Sequence, residues 1–393
     1  MKAIGITGGI GSMLIGAKAA GFKVIGNLES RKDFQTGTFE ANFKRSFFMK
    51  DAPLESLSEF KGIDLVMSHP PCGLFSNLKN DKDNTMDESS ELLLNTLRKI
   101  KKISPRFFVI DNLPKLLEKY DGKWWAKKFP KYDIFFELIP NYYYGNIQAR
   151  RTRLFIIGAL TKEKFVFRPN EKENNLTMKD VIGDLYKKKY GKLPNHYKHV
   201  LKEKCSKAFG LHKMKIQYSW ADAKKYFEKQ KEGHNLLYHA RDGKIKSRFG
   251  FRKGYWHGPC GVLIGKNAMV HPRTNLPLSI RERLRIQGAP DDFVLVGERI
   301  NKDGTWNHDK NLEMTRQTGR FIPVEFCTYV AKLIKAHIKG KRFPNNNTRI
   351  QRRNKIIDEQ KMAYCKKHKY GDQPMTCHAC WLLDECKLKK RGF

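Results

Sequence analysis

Over roughly the first 160 residues, short unbroken apolar runs alternate with longer segments whose apolar positions recur every three to four residues. The segments KAIGIT (2–7), KVIGNLE (23–29), IDLVMS (63–68), FFVIDN (107–112), YDIFFELI (132–139) and RLFIIGAL (153–160) each predict a strand buried on both faces. Between them, SMLIGAKAAG (12–21) and SSELLLNTLRKIKKI (89–103) carry a helical period. Strands and helices in alternation predict an α/β sheet. Ligands of such sheets sit beyond the carboxyl ends of the strands, which is where TGGIGS, HPPCG and DNLPK fall.

The pattern changes from about residue 165 to 270. Lys, Tyr and His become frequent, long apolar runs become scarce, and a glycine-rich aromatic patch appears, RFGFRKGYWHGPCGVLIG (248–265). This predicts a smaller, loop-rich domain given to contact. SIRERLRIQ (279–287) and IPVEFCTYVAKLIKAHI (322–338) return to helix. A basic, Asn-rich linker, KGKRFPNNNTRIQRRNKII (339–357), leads to a cysteine-bearing tail, and no internal repeat is visible.

Composition adds a partner. The 393 residues are 40% hydrophobic, enough for a sizeable core, and 77 Lys and Arg face 40 Asp and Glu for a net charge of +37. A charge of this size spread along the chain predicts a polyanion, because clustered cations gain by displacing counterions from phosphates. No apolar run reaches membrane-spanning length and the chain opens directly on a strand, so a cytoplasmic protein without a membrane partner is expected, in a bacterial or phage-infected cell.

Two segments carry candidate chemistry. TGGIGSMLIGAKAAGFKVIGNLE (7–29) places a glycine-rich turn between strand and helix and an acid, Glu29, at the end of the next strand. Glycines let a backbone approach a ligand closely, and a carboxylate there can accept two hydrogen bonds from a ribose diol. Without a Walker lysine the ligand is a dinucleotide or S-adenosylmethionine. The second segment is MSHPPCGLFSNL (67–78), whose Cys72 stands on a stiff Pro-Pro turn at a strand end, among Lys and Arg that favour a thiolate. A cysteine so placed is a small buried hydrophobe or a nucleophile, and only partners can make it the second. Asp111 in VIDNLPKLL and the arginines of QARRTRLFIIG lie at the ends of neighbouring strands.

Taken in order, these segments resemble the DNA cytosine-5 methyltransferases from residue 3 to about residue 335. TGGIGS resembles the family's S-adenosylmethionine loop, PPCGLFS (70–76) its nucleophile motif, DNL (111–113) its Glu-Asn-Val motif and QARRTR (148–153) its Gln-x-Arg-x-Arg motif. SIRERLRIQGAPDDF (279–293) and RQTGRFIP (316–323) are similar to the motifs that follow the recognition domain. The resemblance implies a Rossmann-like class I methyltransferase sheet in residues 1–164, a smaller target-recognition domain in 165–275, a return segment in 276–338 completing the catalytic domain, and a basic linker with a Cys-rich tail in 339–393.

The resemblance also implies roles. Cys72 adds to C6 of a cytosine swung out of double-stranded DNA, Asp111 holds the N3 edge, and Arg153 or Arg151 holds O2 and a phosphate. Thr7, Gly9, Gly11, Glu29, Asp51, Pro70, Gln317, Gly319 and Arg320 line the S-adenosylmethionine site. The chain departs from the family in having Asp111 for a Glu one methylene longer, and Arg320 where the family has Asn. Arg320 either turns outward to a DNA phosphate or stands as a cation beside the donor's sulfonium, in which case it suggests a carboxylated donor, carboxy-S-adenosylmethionine, and a 5-carboxymethylcytosine product. An RNA cytosine methyltransferase and a catalytically silent DNA-binding homologue are the other readings. A monomer is expected, and no protein partner is inferable.

The tail is not covered by the resemblance. Cys365, Cys377, Cys380 and Cys386 are spaced C-x11-C-x2-C-x5-C, which suits a tetrahedral zinc site or a four-cysteine iron–sulfur cluster.

Overall fold

The computed structural model describes residues 1–29, 36–44, 46–50, 52–72, 86–149, 151–172, 174–187, 227–239, 245–263, 269–296 and 308–341. The chain forms two compact units. The first comprises Met1–Tyr144, Arg151–Pro169 and the segment beginning at Ile322; the second comprises Gly145–Arg150 and Asn170–Phe321.

In the first unit seven strands form one sheet: β1 (Lys2–Ile6), β2 (Lys23–Glu29), β3 (Phe47–Lys50), β4 (Leu65–Ser68), β5 (Phe107–Asn112), β6 (Tyr132–Pro140) and β7 (Thr152–Leu160). Their order is β3-β2-β1-β4-β5-β7-β6. The first five pair in parallel, whereas β7 lies antiparallel between β5 and β6, so the sheet is mixed. β4 and β5 are buried at every position and β1 at all but Lys2, which is why these strands read as unbroken apolar runs. At the edge, β6 is mostly half-buried, with Leu138 exposed.

The helices of this unit are α1 (Ser12–Ala19), α2 (Thr36–Asn42), α3 (Met86–Ile103), α4 (Leu116–Lys119) and α5 (Gly122–Lys128). Leu93, Leu97 and Ile100 recur at intervals of four and three along α3, giving it one apolar stripe. That stripe packs with Ile4, Ile6, Val66, Phe108 and Ile110 of the central strands, and Trp125 and Phe129 extend the same core.

The second unit holds α6 (Met178–Lys187), a three-stranded sheet of β8 (Asn235–His239), β9 (Ile245–Lys253) and β10 (Met269–Val270) in the order β10-β9-β8, then α7 (Ile280–Ile286) and α8 (His308–Arg320). Its core joins Ile147, Met178, Ile182, Trp256, Leu263 and Ile286. The chain re-enters the first unit at Ile322 and continues as α9 (Val324–Ile338). Within 276–338, Ile286 of α7 packs into the second unit's core, and the part from Ile322 belongs to the first unit.

α9 packs on α1 at Gly16. A Cβ built there would stand 2.6 Å from Cys327 Cβ and 2.7 Å from the Cys327 carbonyl carbon, closer than real Cβ atoms approach their neighbours. Among the described residues, no helix is long and apolar enough to cross a membrane. The tail cysteines Cys365, Cys377, Cys380 and Cys386 lie outside the described residues, as does Asp51. Among the described residues no group of His, Cys, Asp or Glu could hold a metal ion.

Candidate active site

β1 ends at Ile6, and the chain then turns through backbone conformations that L-residues rarely adopt: φ is 52° at Thr7, 60° at Gly9 and 88° at Gly11, the residue before α1. Glycine meets this demand at two of the three positions at no steric cost. Thr7 is anchored instead, its N–H donating to Leu28 O at 2.6 Å and its Oγ1 lying 2.7 Å from Thr96 Oγ1 on α3.

The end of β2 closes against this turn. Glu29 is fully buried, and Gly9 N–H donates to its Oε2 at 2.7 Å. Asn27, two residues earlier on the same face of β2, accepts from Gly8 N–H at 3.2 Å and donates from Nδ2 to Gly9 O at 3.0 Å. Asn27 and Thr96 were not singled out from sequence; Asn27 could have been, because an amide two positions before an acid shares its face of a strand. Ile322 N–H donates to Ser12 Oγ at 3.2 Å, which brings the end of the RQTGRFIP motif to the start of α1.

Next to β1, β4 ends at Ser68, whose Oγ donates to Ile6 O at 2.5 Å. The chain continues through His69, Pro70 and Pro71 to Cys72. Three cysteines are described, and Cys72 alone among them is partly exposed; Cys260 and Cys327 are buried. Burial pushes the Cys260 thiol up to about 12 and the Cys327 thiol well above its ordinary value, so both are held neutral and inert.

Asp111 lies on β5 and is fully buried. The resemblance casts it at the edge of the base; here its carboxylate meets two side chains of the protein. Arg153, from the start of β7, donates Nε–H to Oδ1 at 2.9 Å and Nη2–H to Oδ2. His69 Nδ1 lies 2.8 Å from the same Oδ2. Burial opposes the charge on Asp111, yet the Arg153 charge and the hydrogen bonds from His69 and Arg153 outweigh it and hold the carboxyl below its ordinary range. Burial likewise opposes the Arg153 cation, and Asp111 together with Cys72 reverses that effect. Arg153 Nη1 lies 3.9 Å from Cys72 Sγ, so one guanidinium spans the carboxylate and the sulfur.

Arg151 is also buried, its cation disfavoured first by burial and then by the charge of Arg153. Its backbone carbonyl accepts from Asn141 N–H at 3.3 Å and Asn141 Nδ2–H at 3.1 Å. Gln148, which opens the same sequence motif, belongs to the second unit. There its Nε2 donates to Gln287 Oε1 at 2.8 Å, its Oε1 accepts from Leu263 N–H at 2.9 Å, and its own backbone pairs with Cys260. Gln317, Gly319 and Arg320 end α8 in that unit, Gln317 buried and Arg320 exposed. His69 was not singled out; its signal is a histidine directly after a buried strand and just before the Pro-Pro-Cys turn.

The sheet's carboxyl edge thus carries an accessible thiol beside a cation, with a glycine turn and a buried acid on adjoining strands. The solved structure of a protein described as a DNA modification methyltransferase encoded within a prophage (E. coli) matches with a TM-score of 0.62 at 21% identity, covering 86% of this chain and 99% of that one. A mutant of the Spodoptera frugiperda protein DNMT2 matches with a TM-score of 0.53 at 12% identity, covering 85% and 99%. The fold is thus an α/β methyltransferase fold. Among curated relatives, the type II methyltransferase M.FnuDI of Fusobacterium nucleatum is 26% identical over 355 residues, 87% of this chain and 96% of its own length. The type II methyltransferase M.Sau96I of Staphylococcus aureus is 25% identical over 344 residues, 82% and 73%. The family model described as C-5 cytosine-specific DNA methylase matches residues 1–336, and the chain belongs to that family.

Proposed function

We propose that the chain methylates C5 of a cytosine turned out of double-stranded DNA, and that Cys72 forms the transient bond to the base. The observation that carries this reading is the position of Cys72: a partly exposed thiol at the end of β4 with the Arg153 guanidinium 3.9 Å from its sulfur.

The residues at the ends of β1 and β2 fit S-adenosylmethionine. Glu29 offers a carboxylate for a ribose diol, and the turn from Thr7 to Gly11 offers a backbone that a ligand can approach closely. When bound, that cofactor supplies an electrophilic methyl group. Cys72 adds its sulfur electron pair to C6, which turns an unreactive ring into an enamine nucleophilic at C5, and later leaves as C5 loses its proton. Arg153 places cationic donors where negative charge grows during the addition, and Asp111 fixes the guanidinium plane. The net charge of +37 suits a phosphate backbone. We assign sequence recognition to residues 165–275.

The carboxylated donor suggested by Arg320 is not favoured: the relatives above are named methyltransferases. Duplex DNA containing 5-fluorocytosine tests the reading, because fluorine at C5 blocks the elimination that frees the enzyme. With S-adenosylmethionine the protein is expected to form a denaturation-resistant adduct, and the Cys72→Ser variant none. Nucleoside mass spectrometry of ordinary DNA should show 5-methylcytosine. Absence of an adduct and of 5-methylcytosine with a DNA library spanning many sequences overturns the reading.

A further inference from the structure

Resting on that reading, the geometry points to His69 as a further catalytic residue: the acid that protonates N3 of the cytosine ring as Cys72 adds to C6. Two prolines separate it from the nucleophile, and its Nδ1 lies 2.8 Å from the buried Oδ2 of Asp111. That carboxylate also receives Arg153, whose other nitrogen reaches Cys72 Sγ. One buried anion therefore joins the imidazole, the guanidinium and, through the guanidinium, the sulfur.

The step needs a proton as well as a charge. When the sulfur electron pair forms the S–C6 bond, the C5–C6 π pair moves to C4–C5 and the C4–N3 π pair moves onto N3, which must be protonated to stay neutral. Asp111 cannot supply that proton: it is shielded completely, and its charged form is favoured by Arg153 and His69. Arginine does not release a proton in this pH range. Of the groups joined at Asp111, imidazole alone both holds and gives up a proton near neutrality, and a carboxylate on Nδ1 orients the ring and favours the imidazolium.

His69 gives the proton from Nε2 to N3 as the S–C6 bond forms, leaving a neutral ring with Nδ1–H on Asp111. After methyl transfer the C5 proton leaves to water, its bonding pair restores C5=C6, the sulfur departs with the S–C6 pair, and N3 returns its proton to Nε2. The other charged groups in this neighbourhood are Asp111 on β5, Arg151 just before β7, Arg153 at its start, and Glu325 on α9; Cys72 and the neutral thiol of Cys327 complete it.

The test is the pH dependence of single-turnover methyl transfer by the full chain. His69→Asn keeps a donor where Nδ1 stands and removes the titrating ring. The wild type should lose rate on the alkaline side as His69 deprotonates. The Asn variant should be about 100-fold slower and should lack that alkaline limb, with DNA and S-adenosylmethionine binding unchanged. A variant that is fast, or slow with the alkaline limb intact, overturns the assignment. If His69→Asn does not fold, Asp111→Asn replaces it: removal of the anion should move the limb to lower pH, and an unmoved limb overturns the assignment. Wild-type capture on 5-fluorocytosine DNA separates the two failures, since its absence defeats the parent reading and its presence leaves only the role of His69 at stake.

Discussion

Arg153 grips both oxygens of Asp111 across the antiparallel junction of β5 and β7, a pair made by strands 42 residues apart. Removing one partner of a buried ion pair strands the other charge. Asp111→Ala is expected to destabilise the protein by about 3–5 kcal/mol in urea unfolding. The carboxyl is held below its ordinary value of 3.8, so its contribution is fully present above that value and lost as pH falls through the lower folded value. The stability gap between wild type and variant should narrow in acid, as pH falls below about 3.8.

Glu29 tests the proposed cofactor site without removing its support for the turn. Glu29→Gln retains an oxygen for Gly9 N–H and loses the charge that strengthens a diol's hydrogen bonds. Calorimetry should show S-adenosylmethionine affinity reduced about 10- to 100-fold, equivalent to about 1.5–3 kcal/mol, with the unfolding midpoint little changed.

A different acid bears on the second unit between about pH 4.5 and about 7. Glu282 closes the capping box of α7, taking Ser279 N–H on Oε2 at 2.7 Å, and burial pushes its carboxyl up to about 7. An acid whose folded value exceeds its unfolded value costs stability as pH rises between the two, here from about 4.5 to about 7. Glu282→Gln keeps the acceptor and removes this cost. The variant's unfolding free energy relative to wild type should improve between pH 5 and pH 8, by up to about 3 kcal/mol.

The contact of α1 with α9 predicts a steric outcome. Gly16→Ala puts a methyl group 2.6 Å from Cys327 Cβ and 2.7 Å from backbone atoms of Cys327 and Thr328. Overpacking of this kind costs about 1–3 kcal/mol, measurable by urea unfolding. Adding Cys327→Gly should recover only part of the loss, because the backbone clash remains.

Legibility in the sequence follows the physics of each element. The runs KAIGI, LVMS and FFVIDN announce themselves because central parallel strands are buried on both faces, and they deliver Cys72 and Asp111 to one edge of the sheet. Apolar runs do not say which strand lies beside which. The place of β7 between β5 and β6, and with it the Asp111–Arg153 pair, is a long-range antiparallel choice that no local pattern encodes. His69 was missed for a related reason: its partner is 42 residues away on the next strand. Gln148 read as part of an arginine motif, although its side chain serves a different core from that of Arg153.

That last division bears on any attempt to exchange the second unit between relatives. The six residues Gly145–Arg150 travel with the second unit while interrupting the first in sequence, and Gln148 among them ties Leu263 to Gln287. A chimaera grafted from residue 170 onward would inherit the sockets for this glutamine without the glutamine chosen to fit them. Donor and host would then have to agree at an amide neither displays on its surface, so a successful transplant begins at Gly145 rather than at the apparent seam.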